Sequence, residues 1–488
     1  MSVHTSDYQV EWNPTGSSWD DITAYALEVS GDFQTTGANN GVAFGDSSTA
    51  SFSVKLDPLR SGSLSLATWE LVPIRVTFTV DANTARGGAG VVVGFEQDLD
   101  TATLKCEGYQ RLISRTRVYS VLFERRPIAT ATTASSVEDP SSGSYAAGPI
   151  NYALWQAGGR PYEQAGTYTS ASFYYSLQQG LIAPDVSWLA GDDAWEACLK
   201  LVRAAGGQLY QRPDGVIAYV TPLSLAEGSS VVSLSASDYD PDISRSGSAG
   251  STMASVVVPY QSRYKAGVMD VIDDSTPRVV AAGATVTIEL EPKYPLYSLE
   301  TVSGGIPSGA LSATFYDGGV VAQGSGYTHT LDVKAQRVTL TVTNAASQPF
   351  VIEKIVLRGT PSAPGEASTI TLGSGQPAMT VEPNDFIQTR AHAERLGTMG
   401  LDFFDQARPL IEVKGVLYDP TLALGDIGTL DVSTWGLSST PIAVLAIKHS
   451  DTGTKMDLTV VDITGLPKIS DFFVVSTSAQ VATKRVGY

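Results

Sequence analysis

The sequence predicts a mainly β, multi-domain protein that contains one small α/β unit. Apolar and polar residues alternate in many segments, such as Ser51–Leu56 and Tyr327–Val333, and this alternation is typical of half-buried strands. The chain also contains 46 glycines and 25 prolines, which favour short strands joined by turns. Its 488 residues exceed what a single hydrophobic core accommodates, so we expect several domains.

Changes in composition along the chain predict six successive regions. These are a β-rich block, a linker of small residues, a small α/β domain, an inserted β-sandwich, a second β-rich block with a helix, and a C-terminal tail. In that order, they cover residues 1–128, 129–148, 149–245, 246–362, 363–470 and 471–488. Strands are predicted at 51–56, 74–80, 91–95 and 102–106, at 284–290, 310–316, 327–333, 337–343 and 350–357, and at 410–417, 427–432, 442–449 and 456–461.

Residues 192–222 predict a helix, a break and a β-hairpin. Trp195, Cys198, Leu199 and Val202 recur at helical spacing and form one apolar stripe. We expect Asp192 or Asp193 to cap this helix, Gly206-Gly207 to end it, and Pro213-Asp214-Gly215 to form the turn of the hairpin.

A second helix is predicted from Pro383-Asn384-Asp385 to about Gly400. Phe386, Ile387, Arg390, Ala391 and Glu394 place one apolar and one charged stripe on it, and Asn384 or Asp385 is the expected cap. In this arrangement His392 falls on the exposed side.

The charge and the hydropathy of the chain exclude several classes of protein. Its 32 basic residues are outnumbered by 50 acidic ones, for a formal net charge of −18, whereas a protein that grips nucleic-acid phosphates needs a basic surface. Acidic surfaces keep proteins soluble, and they also repel passing DNA. Since no signal peptide and no run of about 18 apolar residues is visible, we expect a soluble protein that is made in a cytoplasm.

No catalytic motif is recognisable in the sequence. The histidines match no zinc-protease or deaminase spacing, and no nucleophile elbow or Walker A motif is present. Asp192-Asp193 is interpreted as a helix cap rather than a catalytic pair. We therefore expect a protein that is not an enzyme and uses no cofactor.

Metal binding is not predicted either. Asp238, Asp240 and Asp242 alternate as in a calcium loop, but the sixth and twelfth positions hold Ile243 and Ala249 instead of Gly and Glu, which favours a polar turn. The two cysteines, Cys106 and Cys198, are expected to be buried apolar side chains.

Two groups of residues are candidates for interactions. Arg111, Arg115 and Arg117 are predicted to lie on one strand face, either as ion-pair donors to an acidic neighbouring subunit or as a solvated face. In the insertion and beside it, several tyrosines are available either for stacking on carbohydrate or for packing under loops. They are Tyr260, Tyr264, Tyr294, Tyr297 and Tyr316.

Three motifs resemble the tail hub (baseplate hub) proteins of tailed bacteriophages. The first is the helix, Gly-Gly break and hairpin at 192–222, and the second is the strand Leu410–Leu417 followed by the P-x-L-x-x-G-D-x-G turn at 420–428. The third is Trp19-Asp20-Asp21-Ile22-Thr23, which opens the first β-rich block. The resemblance implies that the two β-rich blocks are hub-type β-barrel domains.

The resemblance also implies a function. In such families, three copies of a two-barrel protomer form a pseudo-sixfold ring that adapts a sixfold tail tube to a threefold tip and gates DNA passage. The implied partners are two further copies in a homotrimer, a distal tail protein or tail tube protein, a tail fibre or central spike protein, and DNA that transits the lumen without specific binding. Candidate ring-forming residues are Arg111, Arg115, Arg117, Gly425 and Asp426. The implied location is the virion tail tip, of the siphophage type.

Two alternative functions remain open at this point. The first is a host-binding protein, in which the sandwich at residues 255–362 recognises a surface glycan of the host and the rest of the chain carries it. A cell-wall hydrolase is the other alternative, because some tail-tip proteins carry one.

Overall fold

The structure is a computed structural model of the 488-residue chain. It describes residues 6–13, 18–34, 44–47, 50–57, 69–80, 83–98, 101–131, 147–162, 171–180, 182–212, 214–221, 230–246, 252–301, 306–307, 309–404, 408–417, 419, 422, 425–449, 455–466, 472–474 and 485–487. Most of the predicted linker, the turn residues Pro213 and Pro420, and most of the C-terminal tail lie outside these residues.

Strands dominate the described chain, which confirms the mainly β class. The helices are α1 (Gln110–Ile113), α2 (Pro149–Gln156), α3 (Ala194–Ala205) and α4 (Arg390–Phe404), with 3-10 turns at Thr23–Tyr25 and Ser433–Trp435. The first strands are β1 (Ser6–Trp12), β2 (Asp20–Asp21), β3 (Ala26–Gln34), β4 (Phe44–Ser47), β5 (Ser51–Leu56), β6 (Pro73–Val80), β7 (Asn83–Gln97), β8 (Ala102–Glu107), β9 (Arg117–Tyr119) and β10 (Phe123–Glu124). The next are β11 (Gly159–Pro161), β12 (Phe173–Leu177), β13 (Val186–Ser187), β14 (Ala190–Asp193), β15 (Gly207–Gln211), β16 (Ile217–Val220), β17 (Ser230–Leu234) and β18 (Ile243–Ser246).

The remaining strands belong to the insertion and the C-terminal part. They are β19 (Ser255–Lys265), β20 (Met269–Asp274), β21 (Arg278–Val280), β22 (Thr285–Leu290), β23 (Leu296–Leu299), β24 (Leu311–Phe315), β25 (Tyr327–Val333), β26 (Val338–Asn344), β27 (Phe350–Gly373), β28 (Ala378–Thr380), β29 (Leu410–Leu417), β30 (Ile427–Val432), β31 (Leu437–His449), β32 (Lys455–Asp462), β33 (Phe472–Val474) and β34 (Arg485–Gly487).

One large sheet contains strands of both β-rich blocks. Its order is β18-β29-β32-β31-β3-β5-β8-β7-β6-β1-β2, with β30 paired to β31 and β17 paired to β30. The two blocks meet where β3 pairs antiparallel with β31. Val54 and Leu104 of the first block and Val413 and Val444 of the second belong to the same buried cluster. The blocks therefore share a sheet and a core instead of folding separately.

The α/β unit follows the predicted pattern closely. The Asp193 side chain accepts a hydrogen bond from the Glu196 N–H at 2.8 Å and caps α3, so of the two candidates it is Asp193 that caps. Gly206 and Gly207 end α3 at φ values of +73° and +94°, a region that strongly favours glycine. The antiparallel strands β15 and β16 form the hairpin, and α3 buries Trp195, Cys198, Leu199 and Val202 as predicted.

The insertion consists of two sheets around a core of its own. The sheet β22-β26-β25 lies on one side, and strands β20, β21, β23 and β24 pair with the first half of β27 on the other. The buried cluster that both sheets share runs from Val271 to Leu357. The second half of β27 continues past residue 362 and pairs with β19 as a ribbon that leads back to the body.

The second predicted helix begins later than expected. Helix α4 starts at Arg390, where the Thr389 hydroxyl accepts from the His392 N–H at 3.1 Å. Asn384 instead closes a turn, accepting from the Phe386 N–H at 3.0 Å. Asn side chains stabilise such turns as readily as helix ends, which explains why the sequence pattern placed the start of the helix too early.

His392 is buried, which corrects the prediction that it is exposed. Its side chain is packed between α4 and the end of α3, and its Nε2 lies 2.7 Å from the Ala204 carbonyl oxygen. The C-terminal end of α3 thus covers His392. Among the described residues, no helix combines the length and the apolar character needed to cross a membrane.

Candidate assembly surface

The three arginines predicted on one strand face come from three different elements. Arg111 lies in α1, Arg115 follows in the next turn, and Arg117 begins β9. The prediction of a single strand is wrong because the backbone turns here: the Ile113 N–H donates to the Tyr109 carbonyl at 3.1 Å, which buries Ile113 in the core. All three arginine side chains are nevertheless exposed.

Two of these arginines already have acidic neighbours within the chain. Arg115 lies 2.8 Å from Glu70, and Arg111 lies 3.8 Å from Glu107, with both arginine side chains about half exposed. Exposed pairs of this kind are weak, typically about 0–1 kcal/mol. Both arginines therefore remain available to a partner that offers a better-placed carboxylate.

Arg125 is an exposed basic residue that the sequence reasoning missed. Its side chain is 86% exposed and 3.9 Å from Asp185, and its backbone φ is +48°. A residue other than glycine seldom adopts this left-handed conformation. The only signal in the sequence is the Arg125-Arg126 pair shortly after the three arginines.

The Gly425-Asp426 turn lies against the α/β unit. The Gly425 N–H donates to the Val444 carbonyl at 2.8 Å, and the Val444 N–H donates to the Asp426 carbonyl at 2.9 Å. A Cβ atom on Gly425 would lie 3.0 Å from the Tyr210 hydroxyl. Burial raises the pKa of Tyr210, and the nearby Asp426 carboxylate adds to this increase. This turn is therefore half-buried at a junction between domains.

Buried glutamines connect the domains at two further junctions. The Gln211 side chain accepts from the Tyr109 N–H at 2.5 Å and donates to the Ala89 carbonyl at 2.7 Å. The Gln388 side chain accepts from the Val186 N–H at 2.9 Å and donates to the Val186 carbonyl at 2.7 Å. Each amide thus satisfies a buried donor and a buried acceptor of another segment, which fixes the position of the α/β unit.

The alternating aspartates form the predicted polar turn, where Asp240 lies 2.9 Å from Lys455 and Asp242 lies 3.0 Å from Lys414. No group of three potential metal ligands occurs among the described residues. Burial raises the pKa of both Cys106 and Cys198, so neither thiol is activated.

No protein-family model matches the chain, and no curated protein matches it. Among solved structures, it is similar to a tail protein of prophage MuSo2 from Shewanella oneidensis, with a TM-score of 0.45, 10% identity, and coverage of 94% of this chain and 98% of that one.

Two further solved structures are similar over most of their length. A tail protein from Neisseria meningitidis gives a TM-score of 0.44 at 8% identity, covering 94% of this chain and 97% of the other. The prophage tail protein gp18 from Listeria monocytogenes gives 0.41 at 8% identity, covering 95% and 96%. At these scores and identities, no residue role is carried over from them. These three solved structures are tail proteins by their descriptions, the class of protein that the sequence motifs of this chain resemble.

Proposed function

We propose that this chain is a structural tail hub, a homotrimer at the distal end of a bacteriophage tail tube. In this role it adapts the sixfold tube to a threefold tip and opens for DNA passage. The observation that carries the proposal is the large sheet, to which both β-rich blocks contribute and which joins them through β3 and β31. A protomer built this way offers two β surfaces in a fixed relation.

The fixed relation between the blocks matters for symmetry. Three protomers imitate six tube subunits only if each protomer holds its two surfaces at a constant angle. A shared core gives that constancy, and head-to-tail contacts between copies then close into a ring at the correct rotation. The proposed partners are a distal tail protein or tail tube protein on one side and a tail fibre or central spike protein on the other.

The charge of the chain supports the proposed lumen. A net charge of −18 gives a surface that repels phosphates, so DNA passes without being held. The basic residues Arg111, Arg115 and Arg117 are proposed contacts between copies. Two acidic surfaces repel each other, and basic side chains at the contact reduce this repulsion. The Gly425-Asp426 turn is proposed to contribute beside them.

Copy number in assembled tails tests this proposal. A reconstruction of the tail should show three copies of the chain in a ring that continues the distal end of the tube. Six copies, or a position at the periphery of the tail, would overturn the proposal.

A second candidate function is recognition of a host surface glycan through the insertion. Tyr264 and Tyr316 favour it, because their side chains are 55% and 68% exposed and aromatic rings are common stacking surfaces for sugars. A glycan array probed with the full chain tests this candidate. Specific binding that is lost in Tyr316→Ala but kept in Val320→Ala, an exposed neighbour, would support it. An array without specific binding would rule it out.

A further inference from the structure

A cleft of about 1240 Å³ opens where the α/β unit, the base of the insertion and the segment around β28 meet. Trp188 and Lys200 line it from the α/β unit, Lys293 and Tyr294 line it from the insertion, and Thr380 lines it from β28. This volume exceeds that of most small-molecule sites, which are about 300–1,000 Å³. The cleft thus has room for a segment of polypeptide.

An open strand edge borders this cleft. Among the described strands, β28 pairs on one side only, with β19 in parallel register. The Val381 N–H donates inward to the Val257 carbonyl at 2.9 Å. Because successive residues of a strand direct their backbone groups to opposite sides, the N–H and carbonyl of Thr380 point outward. Edges with free backbone groups accept an added strand.

Two groups of residues that line the cleft differ in chemistry. Met253, Met379 and Phe404 form an apolar group, in which the two methionines are only partly buried and pack against a buried cluster that includes Phe404. Methionine side chains adapt to the shape of an apolar partner. Such a group accepts an apolar side chain of an incoming strand.

The second group contains a cation, Lys293, that has no carboxylate partner within ion-pair distance among the described residues. Lys293 is exposed, and its ammonium group lies 5.4 Å from the Tyr294 ring centroid. Lys200 and Arg263 also line the cleft, but Asp192 and Asp385 already pair with them. Lys293 is thus available to an acidic side chain of a ligand.

We propose that this cleft binds an extended acidic peptide segment of a partner protein, which adds as a strand to the open edge of β28. An apolar side chain of the segment packs against Met253, Met379 and Phe404, and an acidic side chain reaches Lys293. The backbone of the segment pairs with Thr380. This binding does not depend on the proposed hub role.

Synthetic peptide libraries test the proposal on the full chain. The probe is a library of extended peptides of about eight residues, roughly 25 Å long, in which Leu or Phe alternates with Ser or Thr and the last two positions are Glu. A second library that ends in Lys is the comparison. The Glu library should bind about tenfold more tightly than the Lys library.

Two variants and one exchange measurement identify the site. Thr380→Pro removes the free N–H, and Lys293→Glu reverses the cation, so each should weaken binding of the Glu library about tenfold. Lys265→Glu, an exposed lysine over Tyr297 outside the cleft, should bind as the parent chain does. In hydrogen exchange, the Thr380 amide should become protected on binding.

The proposal fails if neither library binds, if both bind equally, or if protection appears at the β25 edge instead of at Thr380. If Thr380→Pro prevents folding, the binding of the Glu library by Lys293→Glu and the hydrogen exchange of the parent chain still test the proposal. Unchanged binding of the Glu library by Lys293→Glu would also overturn it.

Discussion

At the scale of single residues, the buried polar side chains determine how the domains are held together. Gln211 and Gln388 each satisfy a donor and an acceptor of a different segment, and His392 joins α4 to the last turn of α3. Arg408 is also buried, and it donates to the carbonyls of Phe403, Asp462 and Thr464. Such groups are costly to bury without partners, so they specify one arrangement of the elements.

His392 should make the stability of the chain sensitive to mild acid. Burial lowers the pKa of His392 from 6.5 to about 4, although the Ala204 carbonyl opposes this shift. Between these two values the unfolded chain binds a proton that the folded chain excludes, so stability falls as the pH is lowered from about 6.5 towards 4. The full effect is on the order of 3 kcal/mol.

Chemical unfolding of the parent chain and of His392→Gln between pH 7 and pH 5 measures this dependence. The parent should lose more free energy of unfolding over this range than the variant, since titration of carboxylates is common to both. Equal losses in the two proteins would contradict the assignment.

At the scale of elements, glycine positions show which turns are set by close packing. Gly415 has a φ of +67°, and a Cβ atom there would lie 2.0 Å from the Asp240 carboxylate. Gly436 has a similar φ of +69°, but apart from its chain neighbours no described residue has an atom within 4 Å of its Cβ position. The two positions share a left-handed backbone conformation and differ in the space around them.

Gly415→Ala should therefore destabilise the large sheet more than Gly436→Ala does. Both variants carry the cost of a left-handed alanine, about 1–2 kcal/mol, and only Gly415→Ala also displaces Asp240 from Lys455. Thermal unfolding of the two variants beside the parent chain measures the difference. Equal melting temperatures for the two variants would show that Asp240 moves aside without cost.

The insertion should fold alone when it is cut at the ribbon. A fragment of residues 267–361 contains the whole buried cluster from Val271 to Leu357, and we expect a cooperative thermal transition by circular dichroism. A fragment of residues 255–362 also carries β19, whose partner residues 363–373 it lacks. We expect the longer fragment to aggregate more, because it exposes an unpaired strand. A non-cooperative transition of the shorter fragment would refute its independence.

At the scale of the whole molecule, the proposed ring places the first β-rich block of one copy against the second block of the next. Reversing Arg111, Arg115 and Arg117 together to Glu should impair assembly, whereas one Arg→Ala change should not, because exposed pairs are individually worth about 0–1 kcal/mol. Reversal of Lys265, Lys354 and Arg358 in and beside the insertion is the matched control. Light scattering measures the oligomer, and assembly that survives the arginine reversal would exclude these residues from the contact.

Local patterns in the sequence determined the elements of this protein. The apolar stripe of α3, the glycines after it and the alternation in strands such as Ser51–Leu56 predicted elements that the structure contains, because each pattern depends on neighbours within a few residues. The same patterns placed the start of α4 too early, since Asn384 stabilises a turn and a helix end with the same chemistry.

Only the tertiary structure decided how these elements combine. The pairing of β3 with β31 joins residues more than 400 positions apart, and no local pattern encodes it. His392 is buried because the C-terminal end of α3 covers it, and the three arginines lie on separate elements because α1 turns the chain to bury Ile113. Burial of polar groups and pairing of distant strands depend on which surfaces meet, and that is settled by packing of the whole chain.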